Sequence, residues 1–263
     1  MDPVDYNKHA WDAYVEKGNR WTLPVDSEQI AAARRGDWQI VLTARKPIPR
    51  DWFPPLAGAR VLCLAGSGGQ QAPILAAAGA VVTVFDNSPR QLARDREVAE
   101  RDGLKIETVE GDMRDLSAFP EASFDLVVNP CSLTFVPDIR PVFREVARVL
   151  RPGGRFLAGF VHAFSYVFDE EAGKAGRVEA RHVLPYSDEK CLPPAEFEKL
   201  LADREALIFS HGLEETIGGQ LAAGLQLRDL YEDAHDDMPL AKYCATMFAT
   251  YSLRPVTDAP SRA

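Results

Sequence analysis

The sequence predicts an α/β fold: a doubly wound, mostly parallel seven-stranded sheet with helices on both faces and an antiparallel final strand. Three observations predict it. Short apolar runs alternate with helix-patterned stretches from Arg60 to Phe160, the runs end in loops carrying glycines, acids or turn residues, and a short link joins the last two strand-like segments. Alternation of this kind gives parallel strands with right-handed crossovers, whereas a short link favours antiparallel pairing.

The first strand is residues 60–65 (RVLCLA), followed by GSGGQQ and a helix over 73–78 that Gly79 terminates. The second, 81–86 (VVTVFD), ends on an acid, and the next helix opens with Ser88 as N-cap, Pro89 at the first helical position and Gln91 closing a capping box, with Gly103 as its stop. A third strand, 105–110, runs into Gly111-Asp112-Met113, and a fourth, 124–129, runs into Pro130-Cys131-Ser132. Asp138 caps a helix whose apolar positions Val142, Phe143, Val146, Val149 and Leu150 recur at helical spacing. Arg151-Pro152-Gly153-Gly154 breaks that helix before a fifth strand, 155–161. Residues 213–223 read as a helix ended by Gly224, and 225–231 and 244–253 as the final strands. The ends differ in texture: residues 1–59 hold short helices, 27–35 the clearest, and a proline-rich linker, 46–56, while residues 162–212 are irregular and look like an inserted cap.

Composition bounds the function. With 263 residues, 46% hydrophobic and 26% charged, this is an ordinary globular chain, long enough for one large domain with an added cap. Thirty Lys and Arg against 39 Asp and Glu leave a net charge of −9, which argues against a nucleic-acid partner. The four cysteines, Cys63, Cys131, Cys191 and Cys244, form no CxxC pair, no metal-ligand spacing is present, and the amino terminus is polar and acidic rather than basic then apolar. The longest mostly apolar run, 72–85, falls short of the roughly 18 residues a membrane span needs. A cytoplasmic protein off the membrane is expected.

In parallel sheets ligands bind beyond the carboxyl ends of the strands, so the loops there carry the chemistry. Ala65, Gly66, Ser67, Gly68 and Gly69 form a glycine-rich strand-to-helix turn. Twenty residues beyond Gly66, Asp86 ends the second strand, where a carboxylate can accept from both ribose hydroxyls. A dinucleotide fingerprint beginning at Gly66 needs Gly or Ala at 71, where Gln71 stands, and no Lys-Ser or Lys-Thr follows the glycines as a phosphate loop requires.

These residues resemble the class I S-adenosylmethionine-dependent methyltransferases, in particular their small-molecule branch, over residues 59–160 and, more loosely, the two final strands. VLCLAGSGG resembles that family's first motif, with Cys63 in place of a frequent acid and Ala65 and Ser67 at two positions usually glycine; VVTVFDNS, EGDM, FDLVVNPCSLTFVPD and LRPGGRF resemble the motifs that follow. The resemblance implies a Rossmann-like domain over 59–263, preceded by a helical lid over 1–58 and carrying a substrate cap at about 162–212. It implies S-adenosylmethionine as cofactor, with S-adenosylhomocysteine as its product. Asp86 would hold the ribose, with Asn87, Ser88 and Gln91 beside it, Asp112 the adenine amino group, with Gly111 beside it, Met113 the ring, and Asn129 and Pro130 the methionine ammonium. The segment lacks the second proline and aromatic of the NPPY-like motif of adenine amino-group methylases. The expected partner is a small-molecule acceptor whose identity the sequence leaves open. His162, just past the fifth strand, is the best-placed base should the acceptor be a hydroxyl, set against a plain packing role. Tyr6, Trp11, Trp21, Phe135 and Tyr166 are candidate lid and substrate contacts. An NAD-linked oxidoreductase and a non-catalytic S-adenosylmethionine-binding protein are the alternatives.

Overall fold

A computed structural model describes residues 2–66, 68–235 and 238–256. Seven strands form one sheet in the order β3-β2-β1-β4-β5-β7-β6: β1 (Arg60–Leu64), β2 (Val81–Asp86), β3 (Ile106–Glu110), β4 (Phe124–Asn129), β5 (Leu150–Val161), β6 (Gln226–Asp233) and β7 (Met247–Leu253). The first five pair in parallel, and β7 runs antiparallel to both β5 and β6, which is the architecture expected. The central strands are apolar on both faces because both faces are covered. Along β1, Val61 and Cys63 pack with one cluster that includes Ile30, Leu75 and Leu92, while Leu62 and Leu64 pack with another around Phe143 and Phe156.

Helices α1 (Pro3–Lys17) and α2 (Ser27–Arg34) precede the sheet; α3 (Gln71–Ala77) and α4 (Pro89–Asp102) follow β1 and β2; α5 (Arg140–Val149) follows β4. Short helices α6 (Glu170–Lys174), α7 (Asp188–Cys191) and α8 (Pro194–Asp203) build the stretch read as irregular, and α9 (Gly219–Ala222) leads into β6.

The departures from the sequence reading have local causes. Helix α2 begins at Ser27 as read, capped by Asp26 with Gln29 closing a capping box, and ends at Arg34, one residue short of the stretch read. Pro73 does not begin α3 but sits within its first turn, where its missing N–H has no partner to lose. Ser88 caps α4, yet the Gln91 side chain does not return to close the box; its carbonyl turns elsewhere. Asp138 Oδ1 accepts from Arg140 N–H (3.0 Å), so it forms a turn before α5 rather than its cap, which falls at Ile139. Strand β5 begins at Leu150, which pairs with Phe124 of β4, and a bulge separates that pair from the next, Arg155 with Leu126. The helix expected at 213–223 opens as a wide π turn, Glu214–Gly218, before α9.

The N-terminal residues pack into the domain. Ile30, Ile40, Leu42, Ile48, Trp52, Phe53 and Leu56 are buried with the strand residues of the first cluster. The proline-rich stretch is part of this: Trp52 stacks on Tyr231 and Tyr251 at 5.3 and 5.7 Å and donates to Asp229 Oδ2.

Candidate functional site

A cavity of ≈ 280 Å³ opens at the carboxyl ends of β1, β2, β3 and β4, under α1 and a strap formed by residues 40–47. Beside β1 and β4 the chain reverses its direction of travel across the sheet, the place where parallel sheets leave a crevice.

Its floor on the β1–β3 side is set by close packing. Ala65 adopts a left-handed conformation (φ 45°) while its N–H donates to Phe85 O (2.7 Å). A Cβ on Gly66 would lie 2.8 Å from the Pro130 ring, and one on Gly111 would lie 2.3 Å from the Phe85 ring, so both positions admit only glycine without movement. Asp86, buried at the end of β2, reaches the cavity and accepts from Ser88 N–H (2.9 Å) through Oδ1. Beside it, Gln91 is buried, lines the cavity, and its Oε1 has no hydrogen-bond partner among the described residues. Asn87 also lines the cavity and donates to Val4 O (3.3 Å), tying the loop to α1. Asp112 and Met113 complete this side. Arg114 holds the Asp112 carboxylate from both ends, through its backbone N–H (2.9 Å) and its guanidinium (2.8 Å), which fixes the orientation of the acid while leaving it lone pairs.

Other expected residues sit behind this wall. Gly68 N–H donates to the buried Asp95 Oδ2 (3.1 Å), and Gly69 packs against Pro24, so both shape the turn without lining the cavity. Ser67 lies outside the described residues. Ser88 is fully buried, its hydroxyl donating to Asp12 Oδ1 (2.7 Å). Pro130 lines the cavity, whereas Asn129 is buried beneath it and donates to Leu64 O and Ser132 Oγ, locking β4 to β1.

Above, α1 lies across the opening. Buried Asn7 donates to Phe135 O and Leu207 O (2.9 Å each) and accepts from Leu207 N–H (2.7 Å). Trp11 and Phe135 meet edge to face at 5.1 Å, both lining the cavity, and Trp21 stands at its mouth. Tyr6 faces away: its buried hydroxyl has no hydrogen-bond partner, and burial, then Glu205 and Asp188, push it up from its ordinary value. Tyr166 reaches the cavity only through Thr134, whose Oγ1 its hydroxyl meets at 2.5 Å.

His162 is placed outside the cavity. Its ring lies between Phe164 and Phe248 (4.9 and 4.7 Å) with Nε2 3.2 Å from Glu232 Oε1, and burial lowers its pKa against the pull of that carboxylate. The histidine that does line the cavity is His235, at the mouth, where Arg20 meets its Nε2 at 2.8 Å.

Sequence reasoning missed Asn7, the strap residues Val41, Leu42 and Thr43, and Gln70, Gln71, Cys131, Thr134, His235 and Met247. Cys131 and Thr134 stood inside a recognised motif, and their place after β4 was the available signal; the strap offered none.

A methyltransferase-domain family pattern matches residues 62–158. Over 251 residues the chain is 47% identical to an uncharacterized methyltransferase, YbaJ, of Bacillus subtilis (strain 168), spanning 95% of this chain and 98% of that protein. It is 27% identical over 263 residues to a ubiquinone biosynthesis O-methyltransferase of Xanthomonas euvesicatoria pv. vesicatoria (strain 85-10), spanning 95% of this chain and 96% of that one. Among solved structures, an S-adenosylmethionine-dependent methyltransferase from Mesorhizobium loti is similar in fold, with a TM-score of 0.58 at 22% identity over 78% of this chain and 95% of its own.

Proposed function

The chain belongs to the S-adenosylmethionine-dependent methyltransferases, and from that premise we propose that it binds S-adenosylmethionine along the ends of β1–β4 and passes the methyl group to a small molecule held under α1. The observation that carries this is Gln91 Oε1, a buried acceptor left without a partner and lying beside Asp86 in the cavity wall. A buried polar atom is ordinarily satisfied, and a ribose hydroxyl at this point satisfies it. The charge also fits. Asp86 and Asp112 are the acidic side chains of the wall, and no Lys or Arg side chain lines it among the described residues, which suits a sulfonium and leaves a pyrophosphate unclamped. That favours this cofactor over NAD.

S-adenosylmethionine, when bound, supplies an electrophilic methyl group on sulfur. The protein's part is to hold and exclude. Asp86 and Gln91 would accept from the ribose, Asp112 from the adenine amino group, with Met113 against the ring, and Pro130 O offers an acceptor for the ammonium. The α1 lid, pinned by Asn7 and Asp12, shields the reacting atoms from water. Because transfer is an in-line displacement, positioning the acceptor can remove roughly 7–11 kcal/mol of the barrier. In this reading His162 is a packing residue and the acceptor's proton leaves by another route. All four cysteines are free, which fits a reducing compartment such as the cytoplasm, and no helix among the described residues is long and apolar enough to cross a membrane.

Titration calorimetry with S-adenosylhomocysteine and, separately, NAD tests this. We expect micromolar binding of the first and none of the second; the reverse pattern overturns the reading.

A further inference from the structure

One carboxylate accepts three of the hydrogen bonds that hold the strap of residues 40–47 in place. Asp233 stands at the end of β6, level with Met247 of β7 and hence with Val161 of β5. Its Oδ2 accepts from Thr43 Oγ1 (2.7 Å), Arg45 N–H (2.8 Å) and Lys46 N–H (2.9 Å), and its Oδ1 accepts from Ala234 N–H (2.8 Å). Burial pushes the Asp233 carboxyl up, but these four donors outweigh it and pull it down to about 2. Tyr231 adds a second tie, its hydroxyl donating to Lys46 O (3.1 Å).

So held, the strap crosses β5 where a side chain would block it. A Cβ on Gly159 would lie 2.3 Å from Leu42 O, and that same carbonyl accepts from Cys131 N–H (3.2 Å). Val41, Leu42 and Thr43 thereby become one wall of the cavity, facing Cys131, Thr134 and Met247. This half is apolar. Its polar side chains include the Thr43 and Thr134 hydroxyls, the Cys131 thiol and the uncharged amide of Gln71, which donates to Val41 O (3.3 Å); burial and then the Asp233 charge keep the thiol protonated. At the mouth, Arg20 meets His235 Nε2 at 2.8 Å. Asp86 and Asp112 belong to the opposite half.

On the reading that the β1–β3 side holds the cofactor, we propose that this second half is the acceptor subsite, that it takes an uncharged, largely apolar molecule, and that Asp233 is its positioning residue, acting through the strap. A charged acceptor would lose its hydration here, where no Lys, Arg, Asp or Glu side chain lines this half among the described residues. An Asn at 233 has one accepting oxygen for four donors and turns an amide N–H toward either Ala234 or the strap, so the strap is released while the isosteric side chain still fills its place.

Indole serves as a neutral probe, with indole-3-carboxylate and tryptamine as its charged counterparts, each titrated by NMR into protein saturated with S-adenosylhomocysteine. We expect indole to bind at least fivefold tighter than either charged probe. Asp233→Asn and, independently, Gly159→Ala should each weaken indole by tenfold or more while leaving the S-adenosylhomocysteine dissociation constant within twofold. Tighter binding of a charged probe, no binding of indole, or an equal loss for indole and S-adenosylhomocysteine in Asp233→Asn overturns the proposal. Should Gly159→Ala not fold, Asp233→Asn decides alone. Failure of the wild-type protein to bind S-adenosylhomocysteine would instead remove the cofactor reading on which the subsite rests.

Discussion

The two sides of the cavity are assembled in different ways. On one, Ala65, Asp86 and Gly111 each stand at or just past the end of a strand, and each is delivered to the site by the strand that carries it. On the other, Leu42, Cys131 and Met247 meet from three distant stretches of chain, brought together by hydrogen bonds to Asp233 and by the gap at Gly159. A wall of the first kind is a by-product of making the sheet. A wall of the second kind exists only once the whole domain has closed, and can be altered without disturbing the first.

That separation can be broken from either side. The largest expected effect is on the cofactor side: Asp86→Ala removes charge-assisted hydrogen bonds that contribute about 1.5–3 kcal/mol each before water compensates, so S-adenosylhomocysteine affinity should fall about 100-fold by calorimetry. An unchanged dissociation constant would reduce Asp86 to its bond with Ser88 N–H.

Gly111→Ala drives a methyl group into the buried Phe85 ring, and should destabilise the fold by about 1–3 kcal/mol as well as weaken cofactor binding. Thermal unfolding measures the first and calorimetry the second. A variant as stable as the parent would show that Phe85 yields freely.

On the acceptor side, Asp233 has its pKa lowered to about 2, so its stabilisation is fully present above its unfolded value and is lost as pH falls toward 2. Asp233→Asn should therefore cost about 1–2 kcal/mol at neutral pH and less as pH drops through about 3, as read from urea midpoints. An equal penalty at both pH values would mean that its charge contributes nothing.

Asp12 couples the lid to the other side, accepting from Ser88 Oγ and from Arg90 N–H (3.2 Å). Asp12→Ala should raise hydrogen exchange in α1 and weaken S-adenosylhomocysteine by about fivefold, the worth of roughly one net hydrogen bond. Faster exchange with unchanged affinity would make α1 packing rather than a lid.

The smallest expected effect sharpens the comparison. Ala65 holds a left-handed conformation that glycine adopts without strain, so Ala65→Gly should stabilise the protein by about 0.5–1 kcal/mol, seen as a rise in Tm of a few degrees.

Much of the cofactor side was legible from local rules. Residues 81–86 read as a strand ending on an acid, and the strand found is Val81–Asp86, because a run apolar on both faces bounded by Gly79 and Ser88 has few other ways to bury itself. The same rules misjudged Gln91. Three residues after an N-cap it has the position of a capping partner, but its Oε1 is buried beside Gly68 instead of returning to the cap, and that choice depends on what lies beside it in the fold. Neither the strap nor the stretch after it was legible: residues 40–47 carry no pattern, residues 46–56 have the proline content of a linker, and nothing in them announces that Trp52 will stack on Tyr231 and Tyr251 across most of the chain's length.

By itself, then, the sequence determined the sheet, the order of its loops and the acids at their tips, since strand periodicity, turn chemistry and the position of a residue after its strand are properties of neighbours in the chain. Only the tertiary structure decided that Gln91 Oε1 is left as a buried acceptor, that His162 falls outside the cavity and His235 at its mouth, and that the strap closes over Gly159 onto Asp233. Those outcomes depend on contacts between residues distant in the chain, more than a hundred positions apart for the strap and for His235. Their energies exist only when the intervening chain has been ordered, and no local pattern records which distant donor will reach a given carboxylate.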